Sequence, residues 1–203
     1  MTPSAISIAL MLGLGHAMAG QAADAKISEA ERAELISLLQ QAERDILREI
    51  DGLSDAQWTF KPGPDRWSVG EVVEHIVLAD ALLFETAIKS LDAQADPNWE
   101  ATVSKTDTLR KALPNRSRRV DAPAAIKPQK ALSRADLVVR FKEQRSKVLA
   151  YAKSTDKPLK SFTSPNPFFG SLNAYQWLLY IPLHEQRHNL QIIEVKASAG
   201  YPK

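Results

Sequence analysis

The sequence predicts an all-α protein: a four-helix bundle with a long crossover connection between its second and third helices. Four long stretches carry the apolar period of a helix, and no segment alternates as a strand would. The first two stretches are joined by a short link, as are the last two, whereas residues 96–131 separate the second from the third. At 203 residues the chain is long enough to bury one substantial core, and no internal repeat or low-complexity segment competes with a single domain over residues 26–203.

Residues 1–25 stand apart. Ala5 to Ala19 is apolar and uncharged, and it runs into Ala17-Met18-Ala19 and Gln21-Ala22-Ala23, both small-residue cleavage patterns. Such a segment is expected to be a secretory signal peptide, although no Lys or Arg precedes the apolar run. It is short for a spanning helix, and cleavage would leave no stable membrane insertion. The expected location is therefore outside the cytoplasm, in the periplasm. An uncleaved anchor and a frayed tail are the alternatives.

The first helix begins at Ser28, whose partner Glu31 completes a capping box, and Gly52 is a stop. Residues 53–67 contain Lys61-Pro62-Gly63-Pro64-Asp65 and are expected to be loop. Trp58, Phe60 and Trp67 within it are candidates to plug the end of a bundle. Ser68 and Glu71 form a second capping box, opening a helix that runs to about Gln94. Its buried stripe reads Val72, Ile76, Ala79, Leu82, Leu83 and Thr86, and His75 lies on that stripe.

Residues 96–131 carry Pro97, Pro114, Pro123 and Pro128 and the basic cluster Arg116-Ser117-Arg118-Arg119. A connection of this length is often functional when ordered, and it is expected to cross the bundle and roof a site. The third helix is capped by Ser133 with Asp136 at its third position, and Asp156-Lys157-Pro158 ends it. The loop Ser164 to Gly170 leads to Asn173, the cap of a fourth and most apolar helix, closed by Gly200 and Pro202. Pro182 lies inside that helix, where it removes the hydrogen bond to the Leu178 carbonyl.

Composition excludes several chemistries. The absence of cysteine rules out disulfides, thiolate metal sites and cysteine nucleophiles. A net charge of +2, with basic residues clustered only in the crossover, gives no footprint for nucleic acid. Any metal site must draw on His, Asp, Glu or water.

The chain has four histidines, and cleavage of the signal would remove His16. His184 and His188 lie four residues apart on the fourth helix, so they project from one face and can share a metal ion. Together with His75 they would supply three neutral imidazoles, which leaves a coordination position open. A single ion would also satisfy polar nitrogens that otherwise cost about 1–3 kcal/mol each when buried without partners. Such ligands accept zinc, nickel, cobalt, copper or iron, and ligand type alone does not choose. Glu71, Glu74, Glu185, Gln191 and Tyr180 are candidates to orient the imidazoles, and Glu185 and Glu74 are the candidate catalytic carboxylates.

His184-Glu185-Gln186-Arg187-His188 also spells H-E-x-x-H, the zincin protease signature. That alternative needs a third ligand downstream, and no histidine follows His188. It also lacks the strand against which zincins usually bind substrate, so the pair reads as part of a triad with His75.

The opening Trp67-Ser68-Val69-Gly70-Glu71-Val72-Val73-Glu74-His75-Ile76 resembles the DinB/YfiT-like family of metal-binding four-helix bundles. So do Phe169-Gly170-Ser171-Leu172-Asn173-Ala174-Tyr175-Gln176-Trp177 and the sequence His184-x3-His188-Asn189-Leu190-Gln191-Ile192. The resemblance spans about residues 27–202 and implies a metal triad of His75, His184 and His188, with one divalent transition metal, zinc or nickel foremost. It implies activity only loosely: some relatives are thiol-dependent transferases, others resemble metal-dependent hydrolases. An oxidising compartment holds little reduced thiol and lowers the transferase reading. The two functions weighed are a metal-dependent enzyme acting on a small-molecule substrate and a non-catalytic interaction module with a structural or adventitious metal. A homodimer through the bundle helices is compatible with both.

Overall fold

The computed structural model describes residues 25–129 and 132–203. The apolar segment and cleavage patterns read as a signal peptide lie outside these residues. Six helices occur among the described residues: α1 (Glu29–Ile50), α2 (Asp55–Thr59), α3 (Val69–Ser90), α4 (Lys105–Ala112), α5 (Arg134–Ser154) and α6 (Ala174–Lys196). The four long ones, α1, α3, α5 and α6, form the bundle. No helix among the described residues is long and apolar enough to cross a membrane.

The helix starts follow local chemistry. Ser28, Ser68 and Asn173 each accept from the backbone N–H three residues on, and Glu31, Glu71 and Gln176 each return a bond to the cap backbone. Ser133 caps α5 through the Asp136 N–H. A fourth capping box, Ser54 with Gln57, starts the short α2 inside the segment expected to be loop. Helix α3 ends at Ser90 rather than near Gln94. Helix α6 continues through Pro182.

Two further expectations are corrected. Residues 163–173 form a hairpin, β1 (Thr163–Asn166) paired antiparallel with β2 (Gly170–Asn173). Pro165 and Pro167 hide it in the sequence, but a two-stranded ribbon is all edge, so Pro165 opposite Ser171 leaves no central ladder short of a donor. Gly170 takes a φ of +72° at the turn, and Asn166 Oδ1 accepts from the backbone N–H groups of Phe168 and Phe169 at 2.9 and 3.0 Å. The second correction concerns Leu82, expected in the buried stripe of α3 and in fact 42% exposed.

Helices that follow one another across short links do not pack side by side. Helices α1 and α3 each pack against α5 and α6, so the pairs α1–α3 and α5–α6 lie across the diagonals. The core is correspondingly divided. One apolar cluster gathers Leu35, Leu39, Leu83 and Val148 with the N-terminal half of α6, and the other gathers Ile46, Val72, Ile76 and Phe141 with Ile192 and Val195. Between them, at residues 184–189 of α6, lies a layer of polar side chains: the histidines on one side, and Asp80, Arg145 and Glu185 on another.

The crossover lies over this layer. Thr102 accepts from Asn173 Nδ2 at 2.8 Å through its hydroxyl and from Gln176 Nε2 at 2.6 Å through its carbonyl. Arg187 donates to the carbonyls of Asn115 and Arg118, and Arg116 makes a bidentate pair with Glu194 at 2.7 and 2.8 Å. The basic cluster thus ties the roof to α6 through Arg116.

Candidate metal centre

Helices α3 and α6 bring His75, His184 and His188 together, with one ring nitrogen of each within 4.8 Å of the others. His75 Nε2 lies 3.2 Å from His188 Nε2, which lies 3.1 Å from His184 Nε2. The outward nitrogens decide what these close approaches mean. His75 Nδ1 is 2.8 Å from the Ile126 carbonyl, an obligate acceptor, so Nδ1 carries the proton. His188 Nδ1 is 2.8 Å from Gln191 Oε1, which fixes the same tautomer. Both Nε2 atoms then present lone pairs toward one another. Lone pairs facing at this distance repel unless a cation lies between them.

Burial keeps the three rings neutral. It pushes His184 down to about 3, with the His75 and Arg187 charges adding to the effect. It holds His188 well below its ordinary value, and it lowers His75 despite the opposing bond to Ile126. Neutral imidazoles with convergent lone pairs are the protonation state a divalent ion requires. The residues present therefore fit a metal. The Nδ1 of His184 has no hydrogen-bond partner among the described residues.

The triad forms part of the wall of a pocket of about 800 Å3. Trp67 packs beside it, with ring centroids 4.8 Å from His75 and 6.5 Å from His188. The three aromatics of the α1–α3 link thus separate: Trp58 and Phe60 pack on the apolar core, and Trp67 also serves the site. Ile126 completes the expectation that the crossover roofs the site, because its carbonyl orients a ligand.

The two candidate carboxylates are not brought to the pocket. Glu185 follows His184 by one residue, which turns its side chain about 100° around the helix. Its carboxylate accepts from Arg145 inside the bundle, and it does not line the pocket. Glu74 accepts from the Gln129 backbone N–H at 3.1 Å and does not line the pocket either. Glu71, one turn before His75, does line it; its Oε2 accepts from the Ser68 N–H at 2.8 Å, and its Oε1 from Lys61 Nζ at 3.2 Å. Tyr180 lines the pocket beside His184, ring centroids 6.0 Å apart. The Ile126 carbonyl had no signature in the sequence, being backbone, whereas Gln191 was available from its place one turn after His188.

Fold and site together define a helical bundle that presents a histidine triad suited to a metal, open to a roofed pocket. The chain belongs to the DinB superfamily, which matches over residues 38–192. It is similar to the uncharacterized protein YuaE of Bacillus subtilis (strain 168), with 26% identity over 166 residues, covering 79% of this chain and 96% of YuaE. Its fold is shared by YfiT from Bacillus subtilis, described as a probable metal-dependent hydrolase with an unusual four-helix bundle topology. That likeness has a TM-score of 0.55 at 15% identity and covers 87% of this chain and 91% of YfiT.

Proposed function

We propose that the protein is an exported, periplasmic metal-dependent hydrolase acting on a small molecule. The observation that carries this reading is the convergence of three neutral Nε2 atoms at the wall of an open pocket. Backbone and side-chain acceptors hold two of the rings in the ligating tautomer. The description of YfiT as a probable metal-dependent hydrolase supports it. A non-catalytic module would need no pocket of about 800 Å3 reaching the histidines.

His75, His184 and His188 would hold the ion, which we take to be zinc or nickel. When bound it supplies Lewis acidity, polarising a substrate oxygen and making a nucleophile available near neutral pH. The chain's own residues do the rest. Ile126 and Gln191 aim the imidazoles, and Trp67 packs beside the rings of His75 and His188. We assign proton transfer to Glu71, whose carboxylate lines the pocket one turn from His75.

The test is metal analysis of protein purified without chelating resin, together with turnover of a panel of ester, amide and lactone substrates. One equivalent of metal in the native protein, lost in His75→Ala, is expected. Glu71→Gln is expected to keep the metal and lose turnover. Native protein without stoichiometric metal, or turnover unchanged by His75→Ala, would overturn the reading. A cobalt spectrum that shifts on adding a small thiol would favour a thiol-dependent transferase instead.

A further inference from the structure

The pocket has a polarity that the triad alone does not require. Helix α6 contributes Trp177, Tyr180, His184, Arg187, His188, Gln191 and Glu194 to its wall, in that order. At about 1.5 Å per residue, Trp177 precedes the histidines by about 10 Å, and Glu194 follows His188 by about 9 Å along the helix axis. The wall therefore runs from aromatic, through the histidines with Arg187 between them, to Glu194. Helix α3 repeats the order in reverse, with Glu71 and His75 first and then Ala79, Leu82 and Leu83, as befits an antiparallel neighbour.

The loops extend both ends. At the aromatic end the hairpin adds Phe168, 55% exposed, which with Leu82 leaves apolar surface facing the pocket. At the other end the crossover adds Arg116, Arg118 and Arg119. Seven Lys or Arg side chains line the pocket against four carboxylates, an excess of three positive charges before any metal is counted. Among the described residues no carboxylate pairs with Arg118, Lys127 or Arg187. Among the described residues Arg187 donates to the backbone carbonyls of Asn115 and Arg118, which orient its guanidinium without neutralising it.

We infer that the pocket takes an amphipathic organic anion. Its apolar body lies against Leu82, Phe168 and Trp177, and its carboxylate or phosphate head lies among Arg118, Lys127 and Arg187. The group to be hydrolysed would sit next to that head, at the histidines that flank Arg187. That last placement rests on the proposed metal-dependent chemistry; the binding polarity does not.

Calorimetric titration with decanoate, decyl phosphate, decanol and decylamine, each below its micelle-forming concentration, tests this on zinc-loaded protein and again after chelation. Decanoate or decyl phosphate should bind at least tenfold tighter than decylamine in both states, and the tighter of the two names the head group. The double variant Arg118→Ala/Lys127→Ala, at exposed positions, should weaken the anion at least fivefold and leave decanol unchanged. Phe168→Ala should weaken all the probes that bind. Equal or tighter binding of decylamine, or an anion affinity unaffected by the double variant, overturns the inference. The anion preference in protein that takes up no zinc when it is supplied would uphold it while removing the hydrolase reading.

Discussion

Arg145 donates to the carboxylate of Glu185 in the interior of the bundle, where the two side chains are 1% and 0% exposed. Asp80 lies 3.8 Å from the same guanidinium and is also sealed from solvent. Burial raises the pKa of both carboxyl groups, and for Asp80 the Glu185 charge raises it further. One cation offsets one carboxylate, so the pair holds a proton between them and the cluster is neutral. The motif residue that resembles a protease base is thus a structural partner of α5.

Removing that cation is costly. Arg145→Met should lower unfolding free energy by about 3–5 kcal/mol, because a charge-compensating partner is lost from a dry site. Adding Glu185→Leu to Arg145→Met should recover much of this, since apolar replacement of a buried ion pair is often neutral or better. Urea denaturation of the single and double variants reads the difference. A double variant no more stable than the single one would mean that Arg145 acts through packing rather than charge.

Gly70 sits under Trp58 at the start of α3. A Cβ added there would lie 2.7 Å from Cε2 of the indole, inside any real contact distance. Trp58 is also held by Arg134, whose guanidinium lies over the ring, 4.9 Å from its centroid. Alanine would gain up to about 1 kcal/mol in helix propensity, but overpacking costs about 1–3 kcal/mol. Gly70→Ala should therefore destabilise by about 1–2 kcal/mol in thermal or urea unfolding, and a stabilised variant would show that the indole moves freely.

The legible parts of this protein were the local ones. Ser28, Ser68, Ser133 and Asn173 announce helix starts because a cap is satisfied within three residues of itself. The His184–His188 pair was readable because helical spacing fixes which side chains share a face. The diagonal order of the helices was not, since a short link limits distance but does not say which neighbour a helix chooses. Nor was the hairpin, whose prolines imitate a loop. Glu185 was misread as facing the site because a sequence motif carries no angle, whereas a step of one residue on a helix turns a side chain away. The carbonyl of Ile126 carries no side-chain signal at all.

Acid should destabilise the metal-free protein through the histidines. His184 is held near 3 when folded, against an ordinary value of 6.5. Above pH 6.5 it is neutral in both states and contributes no pH dependence. As pH falls below 6.5 the unfolded chain takes up a proton that the folded chain refuses, so folding stability declines toward pH 3. At pH 5 the loss from this one group is about 2 kcal/mol, and His188 and His75, also shifted down, add to it. Urea midpoints of chelated protein at pH 7 and pH 5 should differ accordingly, and His184→Gln should flatten the slope. A slope unaltered by that substitution would place the acid sensitivity elsewhere.

Gln191 connects the triad to the charged end of the pocket. Its Oε1 accepts from His188 Nδ1 at 2.8 Å and from Arg116 at 3.4 Å, while Arg116 is itself fixed by Glu194. The amide therefore chooses the His188 tautomer, and the guanidinium holds the amide oxygen toward the ring. Loss of such an orienting partner typically weakens metal affinity about 10–100-fold. Gln191→Leu should show a loss of that size in zinc competition against a calibrated chelator, with metal-free stability changed by less than about 1 kcal/mol because the residue is part-exposed. Gln191→Glu keeps the acceptor and makes it stronger, so it should restore affinity. If Gln191→Leu and Gln191→Glu bind zinc equally well, His188 takes its orientation from helix packing alone, and Arg116 acts at the pocket rather than through the ligand.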